Sequence, residues 1–150
     1  MADPYLLPTF IPGPRLQDGT DLTKLGTSLG ISTVILPIPA MAGLANAQVR
    51  KVAIPFPFKV TKVGFRVGTP TTGAGATATL TAQINGTAVT GGVTTPTLAG
   101  TTTSGTLVAG TAITGANTAS ASGGTLEVAV SAVTAFTAGD GYVEFTVQHL

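Results

Sequence analysis

The sequence predicts an all-β fold, a β-sandwich or jelly-roll of about eight strands that follows an extended, proline-rich N-terminal arm. Three observations predict it. Apolar and polar residues alternate with a period of two in several segments after position 48. Glycine-containing turn dipeptides separate these segments. The length of 150 residues suits a single domain, and the absence of cysteine excludes disulfides and thiolate metal sites.

Residues 1–17 form the predicted arm. Its four prolines disfavour a helix and favour extended chain: Pro4, Pro8, Pro12 and Pro14. Four apolar side chains lie between them: Leu6, Leu7, Phe10 and Ile11. A polar tail of this kind would be a linker, whereas an apolar one needs a surface on which to lie. The alternative is a disordered terminus.

Residues 18–48 are expected to form a short helix and a connecting segment. Asp18 and Asp21 cap a helix that stops at Gly30. Residues 31–36 form a β-rich run that two prolines end, and residues 40–48 allow a further helical turn.

Residues 49–150 are expected to form the sandwich body. One strand places four residues on its buried face: Ala78, Leu80, Ala82 and Ile84. Asn85-Gly86 then predicts a type I′ hairpin turn. Two later strands alternate in the same way through Leu126, Val128 and Val130, and through Val143, Phe145 and Val147 after the Asp140-Gly141 turn.

The segment 58–67 contains a change of phase. Phe58 and Val60 share one face, but Val63, Phe65 and Val67 fall on the other. One extra residue near Thr61-Lys62 would restore all five to the same face, so the sequence predicts a β-bulge there. Three basic residues would then share the outer face: Lys59, Lys62 and Arg66.

The stretch between Val67 and Leu126 contains no charged residue and is rich in threonine, glycine and alanine. Short strands explain this composition better than disorder, because threonine is a good strand former and glycine recurs at the spacing of turns. Uncharged strand edges invite pairing with other chains, which favours an oligomer.

The composition favours a structural or binding role over an enzyme, with no cofactor. Charged residues make up only 9% of the chain, against about 25% in average proteins. The lone histidine, His149, is expected to be exposed and inert near the end of the chain. Glu127 and Glu144 are expected on outward faces of the C-terminal strands, which allows them to be neighbours. A solvated or interface role is favoured over paired acid/base chemistry. The Asp18–Asp21 segment lacks the further ligands of a calcium loop.

Charge is distributed unevenly along the chain. A central block carries five positive charges: Arg50, Lys51, Lys59, Lys62 and Arg66. The tail carries only acids: Glu127, Asp140 and Glu144. Two explanations stand equally, namely pairing between neighbouring strands and complementary patches for subunit assembly. The net charge of +1 argues against a nucleic-acid or membrane partner.

Three segments resemble proteins of tailed-phage virions. Residues 13–22, GPRLQDGTDL, resemble a segment near the start of such proteins. Residues 78–93, ATLTAQINGTAVTGGV, and 138–145, AGDGYVEF, are similar to the central hairpin and closing strand of head decoration, or cement, proteins.

This resemblance implies a homotrimer that binds the outer capsid surface at three-fold positions between capsomers and stabilises the shell against DNA pressure. Its partners would be the major capsid protein and other copies of itself, and it would be made and assembled in the host cytoplasm. The implied capsid contacts come from the arm and the basic strand: Leu6, Leu7, Phe10, Ile11, Arg15, Leu16, Lys59, Lys62 and Arg66. The alternative is a tail or fibre component that binds a host receptor.

Overall fold

The computed structural model describes residues 30–114, 119, 123–134 and 136–150. These residues form eight strands: β1 (Ile31–Ile38), β2 (Val49–Ile54), β3 (Phe58–Val67), β4 (Thr79–Ile84), β5 (Thr87–Thr94), β6 (Leu107–Ala109), β7 (Gly124–Ser131) and β8 (Gly141–His149). Short 3-10 turns occur at Met41–Gly43 and Leu98–Gly100, and the described ranges contain no α-helix. Accordingly, none of the described residues belongs to a helix that could cross a membrane.

The strands form two antiparallel sheets. Sheet I has the order β1-β8-β3-β6, and sheet II has the order β2-β7-β4-β5. The first strand pairs with the last, the second with the seventh, the third with the sixth and the fourth with the fifth (β1–β8, β2–β7, β3–β6 and β4–β5). This is the pairing of one long hairpin rolled into two facing sheets, which defines a jelly-roll. The predicted fold class is confirmed.

The core lies between the sheets and is built by the predicted alternation. Ala78 and the three inward residues of β4 that follow it are buried, as are Leu126, Val128 and Val130 of β7. Sheet I contributes the larger side chains, and Phe58, Phe65 and Phe145 are fully buried. Because one face of every long strand is covered in this way, a slip of one residue would expose the whole apolar set, which fixes the register.

The hairpin between β4 and β5 confirms the Asn85-Gly86 prediction. Asn85 has a φ of 50° and Gly86 a φ of 77°, the left-handed pair that a type I′ turn requires. The turn is also tied to β7, since the Thr125 amide donates to Asn85 Oδ1 at 2.7 Å and the Asn85 amide donates to the Thr125 carbonyl at 2.9 Å. The asparagine therefore both forms the turn and joins it to the next strand.

The uncharged stretch forms strands, as predicted, joined by long irregular segments. One of these, residues 110–114, covers the edges of both sheets on one flank of the sandwich. The Gly110 amide donates to the Val63 carbonyl of β3, and the Thr111 and Thr114 amides donate to carbonyls of β5. This flank is therefore closed by the chain's own backbone.

The segment 31–48 differs from its prediction in three respects. It contributes β1 to sheet I, so the sandwich already begins upstream of Val49. In addition, β1 does not end at Pro37, because an edge strand tolerates a proline whose missing amide would face away from the sheet. The helical turn of residues 40–48 is reduced to Met41–Gly43. The expected arm and helix at 1–29 lie outside the described residues.

Phe145 offers a direct test of the sandwich core. Phe145→Ala should lower the free energy of unfolding by about 3–5 kcal/mol, because it removes a fully buried aromatic ring at the centre of β8. The matched control is Thr146→Ala, on the opposite face of the same strand, which should change it by less than about 0.5 kcal/mol. Urea unfolding followed by far-UV circular dichroism measures both, and equal losses would contradict the assigned faces of β8.

Candidate interaction surface

The predicted β-bulge in β3 is present and determines the candidate surface. The pairing of β3 with β8 shifts between Val60 and Lys62, so that one residue of β3 has no partner. On either side of the shift, Phe58 and Val60 and then Val63, Phe65 and Val67 are buried. The remaining positions face outward, which places Lys59, Lys62 and Arg66 on one face of sheet I, as predicted.

Arg66 is engaged within the molecule. Its Nε and Nη2 donate to the two carboxylate oxygens of Glu144 on β8 at 2.9 and 2.8 Å, and its Nη1 donates to the Gly105 carbonyl at 3.0 Å. The hydrogen bond with Glu144 raises the pKa of Arg66. The same bond lowers the pKa of Glu144, against an opposing effect of partial burial. This two-point pair favours the strand-pairing explanation for part of the charge asymmetry.

Lys59 and Lys62 differ from Arg66. Lys59 lies opposite Gln148 and Lys62 opposite Thr146, so neither faces an acid across the β3–β8 pair. Within the described residues, Arg66–Glu144 is the one ion pair. Two positive charges thus remain on this face without a carboxylate partner in the described part of the chain.

A groove lies beside Lys62. It has a volume of about 190 Å³ and runs between β3, β8 and the chain from β6 to Ile113. Lys62, Glu144 and Thr146 form its polar wall, while Leu107 and Ile113 form the apolar one. Gly64 permits this arrangement, since a Cβ there would lie 2.8 Å from Leu107 Cδ1.

Exposed apolar side chains extend the surface across the sheet. Five large apolar residues are exposed in the described ranges: Ile31, Ile35, Val49, Leu107 and Leu150. Three of them belong to the outer face of sheet I, because Ile31, Ile35 and Leu107 pair directly with outward residues of β8 and β3. The outer face of sheet I therefore combines a groove, exposed aliphatic side chains and two lysines that pair with no acid in the described part of the chain.

No pattern in the sequence marks most of these exposed apolar residues as part of one surface. The alternation of β1 is visible as isoleucine, threonine, isoleucine and proline at positions 31, 33, 35 and 37, but its inner positions are equally apolar. Gly64 and Leu107 become neighbours only through the β3–β6 pairing, across more than forty residues of chain. No sequence motif marks that contact.

The acidic residues of the tail occupy separate places. Glu127 lies on β7 opposite Lys51 in sheet II, whereas Glu144 lies on β8 in sheet I, so the two outward carboxylates are on opposite sides of the sandwich. Asp140 accepts hydrogen bonds from the Thr69 hydroxyl at 2.7 Å and the Thr69 amide at 2.8 Å, which lower its pKa. It anchors the turn into β8.

The environment of His149 differs from the one expected from the sequence. It was expected to be exposed on a frayed end, but it is half-buried as the last residue of β8. Its ring stacks on Phe56 with centroids 4.0 Å apart, and Nε2 lies 3.1 Å from Ser32 Oγ. The expectation failed because pairing with both β1 and β3 holds the strand to its end.

The arm candidates Leu6, Leu7, Phe10, Ile11, Arg15 and Leu16 lie outside the described residues, as do Asp18 and Asp21. Within the described ranges, no group of three or more histidine, cysteine or acidic side chains could hold a metal ion.

Comparison with known proteins gives a structural likeness but no sequence relative. No family model matches the chain, and no curated protein matches it. Among solved structures, it is similar to the CBM36-1 domain of a multidomain xylanase from the hindgut metagenome of Trinervitermes trinervoides. The sequence identity is 15% and the TM-score is 0.48, over 76% of this chain and 96% of that domain. A likeness at this level implies nothing about a ligand.

The Arg66–Glu144 pair predicts a pH dependence. Because the pKa of Glu144 is lower in the folded chain than its ordinary value of 4.5, the pair stabilises the fold above about pH 4.5. That contribution is lost as the pH falls through the folded value. Glu144→Gln should therefore lose less stability than the unmodified chain between about pH 6 and pH 3, as measured by urea midpoints.

The matched control is Glu127→Gln, on the outer face of sheet II. It should keep the pH dependence of the unmodified chain. If Glu144→Gln were as acid-sensitive as this control, the pair would not stabilise the fold.

Proposed function

We propose that this chain is a tailed-phage capsid decoration protein. It binds the outer surface of the head between capsomers as a homotrimer at three-fold positions, and it stabilises the shell against DNA pressure. The observation that carries this proposal is the outer face of sheet I. Two lysines without a carboxylate partner among the described residues lie there, with a groove beside Lys62 and exposed aliphatic side chains.

The chemistry of this face suits contact with another protein. Exposed aliphatic groups contribute affinity when they are buried against a partner, and free lysines favour an acidic partner and set its orientation. The major capsid protein would then present acidic side chains to Lys59 and Lys62. Arg66 contributes indirectly, because its bond to Glu144 prevents that carboxylate from neutralising the lysines.

The resemblance of residues 78–93 and 138–145 to head decoration proteins, and of residues 13–22 to tailed-phage virion proteins, supports the same proposal. The jelly-roll by itself hosts many functions, viral capsid and lectin domains among them, and does not decide between them. A homotrimer strengthens a weak contact, since three copies of one face bind together and their effective concentrations multiply the affinity.

The decisive experiment separates a phage lysate that contains this chain into heads and free tails and detects the chain with an antibody. We expect it on heads, in a fixed ratio to the major capsid protein. Its presence on tails alone would favour receptor binding instead, and its absence from both would remove the phage assignment.

Charge reversal tests the proposed face. Lys62→Glu should weaken binding to heads that lack the protein by about fivefold to tenfold, because it replaces attraction by repulsion at each copy. The matched control is Lys51→Glu, an exposed lysine of sheet II, which should bind as the unmodified chain does. Sedimentation of heads with increasing protein measures both affinities. Equal weakening by the two variants would place the contact elsewhere.

A further inference from the structure

One flank of the sandwich is open, and its two edge strands differ. The closed flank is covered by residues 110–114. On the other flank, β1 ends sheet I and β2 ends sheet II, and no strand of the described residues pairs with their outer edges. The edge of β2 carries Lys51, the kind of charge that blocks unwanted strand pairing. The edge of β1 carries no charge.

The register shows which residues of β1 face that open edge. The His149 amide donates to the Gly30 carbonyl, so every second residue from Ser32 to Ile38 bonds with β8. Ile31, Thr33 and Ile35 therefore direct their amides and carbonyls away from the sheet. Ile31 is 64% exposed and Ile35 is 53% exposed, so side chains as well as backbone are available there.

In extended conformation, the N-terminal arm would present backbone groups that suit pairing with the outer edge of β1. Its four prolines all fall at even positions, 4, 8, 12 and 14. In extended chain, alternate residues direct their backbone groups to opposite sides. All missing amides would then lie on one side, and the odd residues from Asp3 to Gly13 would offer an unbroken row of amides and carbonyls on the other. Such a strand can pair on one side and is blocked on the other.

The side chains match as well. The odd residues of the arm read Leu7, Thr9 and Ile11, and the open residues of β1 read Ile31, Thr33 and Ile35. With Thr9 opposite Thr33, an aliphatic pair lies on either side of a threonine pair. Cross-strand pairs of both kinds stabilise sheets.

We propose that residues 3–13 of a neighbouring copy add to the open edge of β1 as an extra strand of sheet I. This rests on the proposed function only in treating the arm as an assembly element. A neighbouring copy is favoured because an exposed strand edge without charged residues invites pairing with another chain. The arms would thereby link the copies of the oligomer.

Cysteine cross-linking of the purified chain, without heads, tests this pairing. The native chain has no cysteine, so single variants report one contact each. Thr9→Cys and a differently tagged Thr33→Cys are mixed and oxidised. Directly opposed residues have Cα atoms about 5.5 Å apart, within the range of a disulfide. We expect a disulfide between the two chains, at least about fivefold above that of Thr9→Cys mixed with Thr81→Cys, on the outer face of sheet II.

A yield equal to the Thr81→Cys control would overturn the pairing. A disulfide that forms only within one chain carrying both cysteines would show that the arm binds its own β1, which overturns the assignment to a neighbouring copy. Because no heads are present, a positive result would stand even if the chain proved not to bind phage heads. A negative result would likewise leave the proposed binding to heads untouched.

Proline substitution supplies a second measurement with a matched pair. Leu7→Pro removes an amide on the pairing side of the arm, and Leu6→Pro removes one on the side that is already blocked. In the Thr9→Cys background, Leu7→Pro should lower the cross-linking yield by about fivefold to tenfold, because a backbone hydrogen bond is lost and its partner carbonyl left unpaired. Leu6→Pro should retain most of it. Equal losses would contradict the proposed side of pairing.

Discussion

The one-residue bulge in β3 is the constraint on which the candidate surface depends. Side chains alternate along a strand, so an unbroken β3 could bury either Phe58 and Val60 or Val63, Phe65 and Val67, but not both sets. The bulge between Val60 and Lys62 lets the same strand bury all five. The outward positions follow from this, and they are the positions of the basic residues. Core packing and surface charge are thus decided together.

The same arrangement explains why the three basic residues of β3 differ in availability. Arg66 lies beyond the bulge and reaches the carboxylate of Glu144 on the neighbouring strand. Lys59 and Lys62 lie opposite uncharged residues of β8. If Glu144 lay opposite Lys62 instead, the two charges would cancel beside the groove. The observed register instead leaves the charge where Leu107 and the groove make the surface suited to a partner.

The two flanks of the sandwich show how a nearly uncharged β protein treats its edges. Residues 110–114 cover one flank with backbone hydrogen bonds. On the other, Lys51 marks the edge of β2 as one that resists pairing, whereas the edge of β1 presents aliphatic side chains and backbone groups that no described strand pairs with. An edge of this kind invites pairing with another chain. It lies on the same sheet as the exposed Leu107, as the proposed assembly role requires.

The sequence by itself determined the strand-forming segments, their buried faces, the Asn85-Gly86 turn and the bulge, because each follows from local periodicity or from backbone conformations open to few residues. It left β1 outside the sandwich, treated His149 as frayed and allowed Glu127 and Glu144 to be neighbours. The positions of β1, His149 and the two glutamates all depend on which strands pair with one another, and these strands are far apart in the sequence. Only the tertiary structure decided that Glu127 and Glu144 lie on opposite sheets and that Gly64 and Leu107 line a groove. It also decided that Arg66 pairs with Glu144, while Lys59 and Lys62 have no acidic partner among the described residues. Pairing between distant strands depends on the rolled topology of the whole chain, which no local pattern encodes.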